Sequence, residues 1–222
     1  MSNIRKLFIM PYFGEFPEWM DKFKVNFEEM CRPQGYDLLI DTDMESFKKR
    51  VKDKLGIEYL GAWGSGKIWD FRGSLGYLYE EEARGYDFWG HVDCDVVFGD
   101  VSKWITDEFL SNLDVHSNHD EYVNGPWTLY RNNIIVNTLF FRSDWRKYMT
   151  IPEPTGWIER PFSRTLEESG LRYKYTFWQG NPYDDDPWLK FKDGKLFQDI
   201  KKDGNWEEIM TFHFKRSKKW PL

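Results

Sequence analysis

The chain has 222 residues, a length that fits one domain over residues 1–222, and 31% of them are charged. Its net charge of -6 argues against a general nucleic-acid-binding protein, which would carry a basic face. Because Cys31 and Cys94 are too few for a disulfide framework or a zinc site, and no apolar stretch approaches a membrane span, we expect a cytoplasmic protein.

The first half of the chain alternates between strand and helix patterns. The continuous apolar run at residues 7–10 predicts a buried strand that Pro11 ends. The segments that follow predict helices at residues 18–30, 44–55 and 68–84. They predict strands at residues 36–40 and 86–91. This order indicates an α/β fold with a mainly parallel central sheet flanked by helices.

The second half has a looser pattern. We predict a helix over residues 101–110, short strands at 127–131 and 172–177, and a hairpin of strands 188–191 and 195–200 that turns at Asp193-Gly194. The glycine-rich segment 61–66 lacks the Gly-Lys-Ser/Thr ending of a P-loop and predicts a loop. No repeat or linker divides the chain.

Asp93 and Asp95 follow an apolar strand and precede the apolar residues 96–98. Residues spaced i, i+2 point the same way if the backbone stays extended. Two carboxylates at the carboxyl edge of a parallel sheet suit Mg²⁺ or Mn²⁺, and open α/β sheets bind ligands at that edge. An exposed acidic turn is the commoner origin of Asp-x-Asp. Acids between apolar runs cost stability, however, unless they are paired or coordinated.

The segment 88–98 resembles the DxD motif of GT-A glycosyltransferases. The chain is particularly similar to a small uncharacterised group of GT-A-like proteins in the strings PYFG at 11–14, GYDFWGH at 85–91 and TLYRN at 128–132. This resemblance covers about residues 5–145 and returns at the C-terminus. It implies a GT-A fold in which about residues 1–100 form the nucleotide-binding half and about residues 101–222 the acceptor side. It also implies a nucleotide-sugar donor, with UDP as the favoured nucleotide.

The same resemblance implies roles for individual residues. The nucleotide would meet the loop after the first strand and the end of the second strand, at Pro11, Tyr12, Phe13, Thr42 and Asp43. Asp70 or Arg72, in the segment Asp70-Phe71-Arg72, would contact the nucleoside or sugar. Asp93 would face the ribose or the metal, and Asp95 would be the firmer metal ligand.

The C-terminus resembles the His-Phe-x-Gly-x-x-Lys-Pro-Trp ending of glycogenin-like and related galactosyltransferases. In those enzymes the histidine is the third metal ligand and the lysine meets the diphosphate, which implies these roles for His213 and Lys219. An imidazole ligand suits Mn²⁺ better than Mg²⁺. This chain differs from the pattern because Arg216 replaces the glycine and Trp220-Pro221 inverts the last pair. The basic run 215–219 would surround the leaving diphosphate, although such runs are often solvated surface.

Glu159 is our candidate catalytic base, with Glu153, Glu167 and Glu168 as other acidic residues of the same region. An inverting enzyme needs a base to deprotonate the acceptor hydroxyl, whereas a retaining enzyme does not. We expect the acidic segment 184–186 to be solvent-exposed, and we assign no role to His116 or His119.

The expected function is therefore metal-dependent transfer of a sugar from a nucleotide-diphosphate donor to the hydroxyl of a glycan or another acceptor, with surface polysaccharide synthesis as the expected role. Three alternatives remain. The acceptor could be a hydroxylated base in phage DNA, which the acidic composition disfavours. The chain could also be a metal-dependent phosphohydrolase, or a nucleotide-sugar-binding module without catalytic activity.

Overall fold

A six-stranded sheet organises the protein in a computed structural model that describes residues 4–58, 66–123, 126–184, 186–215, 219 and 221. The strands are β1 (Lys6–Pro11), β2 (Tyr36–Asp41), β3 (Phe88–Val92), β4 (Val96–Phe98), β5 (Val115–Ser117), β6 (Trp127–Arg131), β7 (Tyr173–Tyr175), β8 (Leu189–Lys192), β9 (Lys195–Gln198), β10 (Glu207–Ile209) and β11 (Thr211–His213). The α-helices are α1 (Met20–Met30), α2 (Met44–Leu55), α3 (Leu75–Leu78), α4 (Asp107–Ser111), α5 (Ile134–Asn137), α6 (Trp145–Thr150) and α7 (Arg160–Glu167). Short 3-10 helices span Arg32–Gln34, Lys67–Ser74, Val101–Lys103 and Leu139–Arg142.

The central sheet has the strand order β2-β1-β3-β6-β5-β7. Strand β1 is parallel to both β2 and β3, and β5 is parallel to β7, whereas β6 is antiparallel to its two neighbours. The prediction of an α/β fold with a mainly parallel central sheet flanked by helices is confirmed. Two smaller sheets complete the topology, one of three strands in the order β10-β9-β8 and one formed by β11 and β4.

Apolar side chains cover both faces of the central sheet. Along β1, Leu7 and Ile9 join one hydrophobic cluster, and Phe8 and Met10 join another on the opposite face. Side chains of α2, α3 and α7 complete the first cluster, while α1 completes the second. Because both faces are buried, the strand is apolar at successive positions instead of alternating.

Two predicted helices are wrong in extent. Residues 68–84 form the 3-10 helix Lys67–Ser74 and the single turn α3, because Gly76 lies directly against the indole of Trp89 and close packing replaces regular helix. Residues 101–110 split in two, since the Thr106 hydroxyl accepts a hydrogen bond from the Phe109 N–H and starts α4 there. Neither the Gly76–Trp89 contact nor the Thr106–Phe109 hydrogen bond can be predicted from hydrophobic periodicity.

The remaining predicted elements agree with the structure. The hairpin β8–β9 turns at Asp193-Gly194, where both residues have positive φ, as a two-residue turn of this kind requires. Of the predicted loop at 61–66, only Gly66 belongs to the described residues. Within the described ranges, no helix combines the length and apolar character needed to span a bilayer.

Packing at Gly76 yields a stability prediction. A Cβ at this position would lie 2.1 Å from the Trp89 Nε1, which donates a hydrogen bond to the Asn137 Oδ1. We expect Gly76→Ala to lower the free energy of unfolding by about 1–3 kcal/mol, as overpacking of a core does. Urea denaturation measures the loss. The exposed helix variant Val25→Ala should change stability by less than about 0.5 kcal/mol, and an equally small effect of Gly76→Ala would contradict the close packing inferred here.

Candidate metal and donor site

Asp93, Asp95 and His213 meet at one place in the structure. Each residue offers one ligand atom, and these atoms all lie within 4.8 Å of one another. Asp95 and His213 are buried, and Asp93 is partly buried. Two carboxylates and an imidazole form a donor set that suits a divalent cation of the Mn²⁺ type.

Pairing between β4 and β11 brings His213 to the acidic pair. These strands are antiparallel, with His213 opposite Val96, so the imidazole lies one residue from Asp95 across the ladder. The His213 Nε2 is 3.2 Å from the Asp95 Oδ1, and the Phe214 N–H donates to the Asp95 carbonyl at 3.0 Å. Asp95 is thereby fixed through both its side chain and its backbone.

The backbone at the acidic pair is not extended, so the condition under which residues spaced i, i+2 point the same way is not met. Asp93 follows β3, and the chain turns at Cys94 and Asp95 before β4 begins. This turn redirects the chain from the central sheet into the two-stranded sheet. The carboxylates still converge, because the turn and the partner strand β11 place them on the same side of the cavity.

The three side chains fit a single ion. Ligand atoms lie about 2.1 Å from a bound Mg²⁺, so atoms within 4.8 Å of one another need only small side-chain rotations to share one cation. Beside the cluster, burial first, and then the charges of Asp95 and Asp93, raise the pKa of the Cys94 thiol to about 12.

Arg72 forms an ion pair with Asp93, the less buried carboxylate of the cluster. Its guanidinium donates to the Asp93 Oδ1, and both side chains are largely withdrawn from solvent. The guanidinium also lies 5.8 Å from the centre of the Trp69 ring. Arg72 therefore orients Asp93 and brings a positive charge to the carboxylates, in the region where the sequence predicts the donor.

A cavity of about 410 Å³ opens beside the cluster. It is lined by side chains from the β1 loop, the 3-10 helix Lys67–Ser74, the β3–β4 turn, the segment before α7 and the C-terminal strand. The predicted site residues that line it are Pro11, Tyr12, Phe13, Arg72, Asp93, Asp95, Glu159 and His213. Burial, together with the nearby Cys94 and Asp95, raises the pKa of the Tyr12 hydroxyl, which stays protonated at neutral pH.

Four of the predicted donor residues do not line this cavity, namely Thr42, Asp43, Asp70 and Lys219. Thr42 is exposed, and Asp43 caps α2 by accepting hydrogen bonds from the Glu45 and Ser46 N–H groups. Lys219 is also exposed and lies outside the lining, whereas Lys215 of the same basic run belongs to it. Residues 185, 216 and 218, which belong to the predicted acidic segment and basic run, lie outside the described residues.

The contacts of Asp70 indicate a structural role. It is fully buried, its Oδ2 lies 2.9 Å from the Lys67 Nζ, and its carboxylate accepts hydrogen bonds from the Thr155 hydroxyl and from backbone N–H groups of Thr155 and Trp157. These contacts tie the 3-10 helix to the segment that carries Glu159. Asp70 thus acts on the cavity by holding one of its walls.

Several residues of the cavity wall were not predicted from the sequence. His91 is buried and lies 3.4 Å from the Tyr130 hydroxyl, and Trp19 and Trp69 contribute indole rings. A signal for His91 was present, since it is a polar residue inside an otherwise apolar strand. Trp19 and Trp69 carry no sequence signal that separates a cavity wall from a core.

Comparison with known proteins identifies the family. The sequence model described as a family of unknown function (DUF6625) matches residues 39–156. The chain belongs to the DUF6625 family. No curated protein matches it. Among solved structures, this DUF6625 protein is similar to a glycosyltransferase involved in the glycosylation of the major capsid of PBCV-1, with 14% identity, a TM-score of 0.48, and coverage of 79% of this chain and 82% of that chain. A functional hypothesis for the DUF6625 protein therefore depends on the geometry of its own site.

A substitution at the buried residue Asp70 can distinguish a structural role from contact with a ligand. We expect Asp70→Asn to lower the free energy of unfolding by about 3–5 kcal/mol, because Lys67 would stay buried without its counter-charge. Urea denaturation at constant pH measures this. Asp43→Asn is the matched control, since asparagine caps a helix about as well as aspartate. Unchanged stability of Asp70→Asn combined with weaker nucleotide binding would favour the donor contact instead.

Proposed function

We propose that this DUF6625 protein is a metal-dependent glycosyltransferase that moves a sugar from a nucleotide-diphosphate donor, UDP-linked by motif resemblance, to an acceptor hydroxyl. The observation that carries the proposal is the convergence of Asp93, Asp95 and His213 on the wall of one cavity. Its volume of about 410 Å³ falls within the usual range of small-molecule sites. Manganese or magnesium is the proposed cofactor.

The charges around the cavity suit a diphosphate. A divalent cation held by the cluster would neutralise part of the negative charge on the leaving nucleoside diphosphate. Arg72 and Lys215 also line the cavity and bring two further positive charges to it. Stabilisation of developing negative charge by such positive groups is usually the largest single contribution to catalysis.

The β1 loop supplies the proposed wall for the nucleoside. Because β1 and β3 are parallel neighbours, their carboxyl ends lie at the same edge of the sheet, and the loop after β1 comes beside Asp93. Tyr12 and Phe13 present aromatic rings to the cavity. The Phe13 ring packs 5.4 Å from the Phe47 ring of α2, which anchors the loop. Flat apolar walls of this kind accommodate a nucleobase.

Glu159 is the proposed catalytic base for the acceptor. It precedes α7, it is exposed, and it lines the same cavity as the metal cluster. In an inverting transfer, its carboxylate would take the proton of the acceptor hydroxyl as the oxygen bonds to the anomeric carbon. The bond from that carbon to the diphosphate breaks, and the nucleoside diphosphate leaves. A retaining transfer would not need this base.

Nucleotide binding tests the donor half of the proposal. We expect one of UDP, GDP, CDP or TDP to raise the melting temperature only when Mn²⁺ is present, because the cluster and the diphosphate share the ion. At 100 times its dissociation constant, such a ligand adds about 2.7 kcal/mol to the free energy of unfolding. Thermal unfolding with each nucleotide, with Mn²⁺ and with EDTA, measures the effect.

Asp95→Ala should abolish the Mn²⁺-dependent stabilisation and leave the fold intact. Asp21→Ala, at a side chain that is 98% exposed, is the control and should keep it. Mn²⁺-dependent binding that survives in Asp95→Ala would contradict the assigned site. The products then separate the alternatives. Free phosphate indicates a phosphohydrolase, binding without turnover indicates a binding module, and sugar transferred to hydroxylated DNA indicates a DNA acceptor.

A further inference from the structure

The outer face of the three-stranded sheet β8–β10 carries a distinct set of side chains. Leu189 and Leu196 point inward, where they pack with Val97 and Phe212 in a hydrophobic cluster. Strand alternation therefore directs Lys190, Lys192, Lys195 and Phe197 to the opposite face. This set and the two flanking tryptophans, Trp188 and Trp206, are named the lysine–tryptophan face.

The two tryptophans lie one residue beyond the paired ends of the strands and extend this face. The Asp199 N–H donates to the Trp188 carbonyl, so the β8–β9 register continues one step beyond the paired strands. Trp188 and Trp206 are 44% and 37% exposed, although tryptophan is a residue that folding usually buries. The Lys190 ammonium lies 4.4 Å from the centre of the Trp206 ring and 5.4 Å from that of Phe197, which places all three on one side of the sheet.

The face is positively charged in a chain whose net charge is -6. Lys190, Lys192 and Lys195 are exposed, and within the described residues no ion pair joins any of them to a carboxylate. Two acidic residues lie on the same side. Glu208 is engaged by Lys103 at 2.6 Å, and Asp199, opposite Trp188, is fully buried and accepts hydrogen bonds from the Asp203 and Gly204 N–H groups. The exposed, unpaired charge on this face is thus cationic.

We propose that the lysine–tryptophan face binds an anionic polysaccharide, a chain of sugar rings that carries carboxylate or phosphodiester groups. The C–H face of a sugar ring is apolar and packs on an exposed indole, which Trp188 provides. The three lysines complement the acidic groups along such a chain. The contact with the Trp206 ring keeps the Lys190 ammonium on this face.

Protection of a sheet edge and contact with a membrane each match only part of this face. Lysines on an edge strand such as β8 hinder pairing with another sheet, but that role needs no exposed tryptophan. An anionic membrane also attracts lysine and tryptophan. Membrane contact, however, buries apolar side chains beneath the headgroups, whereas the two indoles here flank a sheet and Lys190 covers one of them. An anionic polymer lying across the sheet would contact both the exposed lysines and the exposed tryptophans.

Affinity electrophoresis of the full chain through gels that contain polygalacturonate tests the proposal. The runs include EDTA and no nucleotide, so the result is independent of the proposed transferase activity. We expect polygalacturonate to retard the protein and neutral dextran to leave its mobility unchanged. The variant K190Q/K192Q/K195Q should weaken the retardation at least about ten-fold, and Trp188→Ala should weaken it without any change of charge.

The variant K22Q/K147Q/K174Q is the matched control, because it removes three charges from exposed lysines of α1, α6 and β7 that, among the described residues, also form no ion pair, and it should bind like the unaltered chain. Circular dichroism establishes that each variant is folded. Equal retardation of the two triple variants would overturn the proposal. Full retention in Trp188→Ala would overturn it as well, since charge alone would then suffice. Tighter binding to phosphatidylglycerol vesicles than to polygalacturonate would also overturn it in favour of a membrane.

Discussion

Pairing between β4 and β11 is the interaction on which the candidate site depends. The central sheet by itself brings Asp93 to its carboxyl edge, where neighbouring parallel strands end and ligands bind in α/β folds. It cannot supply a third ligand from the C-terminal end of the chain. The antiparallel ladder does so, because His213 lies opposite Val96 and the Phe214 N–H binds the Asp95 carbonyl. Loss of this ladder would separate the imidazole from the carboxylates without disturbing the central sheet.

Buried charge organises the opposite wall of the cavity. The Lys67–Asp70 pair lies inside the protein, where a charge is costly unless it is paired and hydrogen-bonded, and the Asp70 carboxylate meets this condition through Thr155 and Trp157. Two residues further on, Arg72 turns to the cavity and pairs with Asp93. One short 3-10 helix therefore joins the segment that carries Glu159 to the carboxylate cluster.

Elements with a clear hydrophobic periodicity were predicted correctly from the sequence. Features that depend on contacts between residues distant in sequence were not. The apolar runs of β1 and β2 and the capped helix α2 were predicted nearly to the residue, because burial and helix signals are local. The helix at 68–84 failed because Gly76 packs against the indole of Trp89, which belongs to another element. The donor contact expected of Asp70 came from family resemblance, whereas its hydrogen bond with Thr155, 85 residues away, has no local signal in the sequence. His213 was found through family resemblance alone, since its spacing from Asp95 contains no signal.

The candidate site and the lysine–tryptophan face are connected through the last strands of the chain. Strand β10 pairs with β9 of the three-stranded sheet, and β11 follows after a single residue to pair with β4 at the metal cluster. Their shared hydrophobic cluster includes Leu196 from the small sheet and Phe212 from β11, and Trp19 of the cavity wall packs against it. A well-packed interior resists deformation. The small sheet therefore has a structural role whatever it binds, because it holds β11, and with it His213, against the turn that carries Asp95.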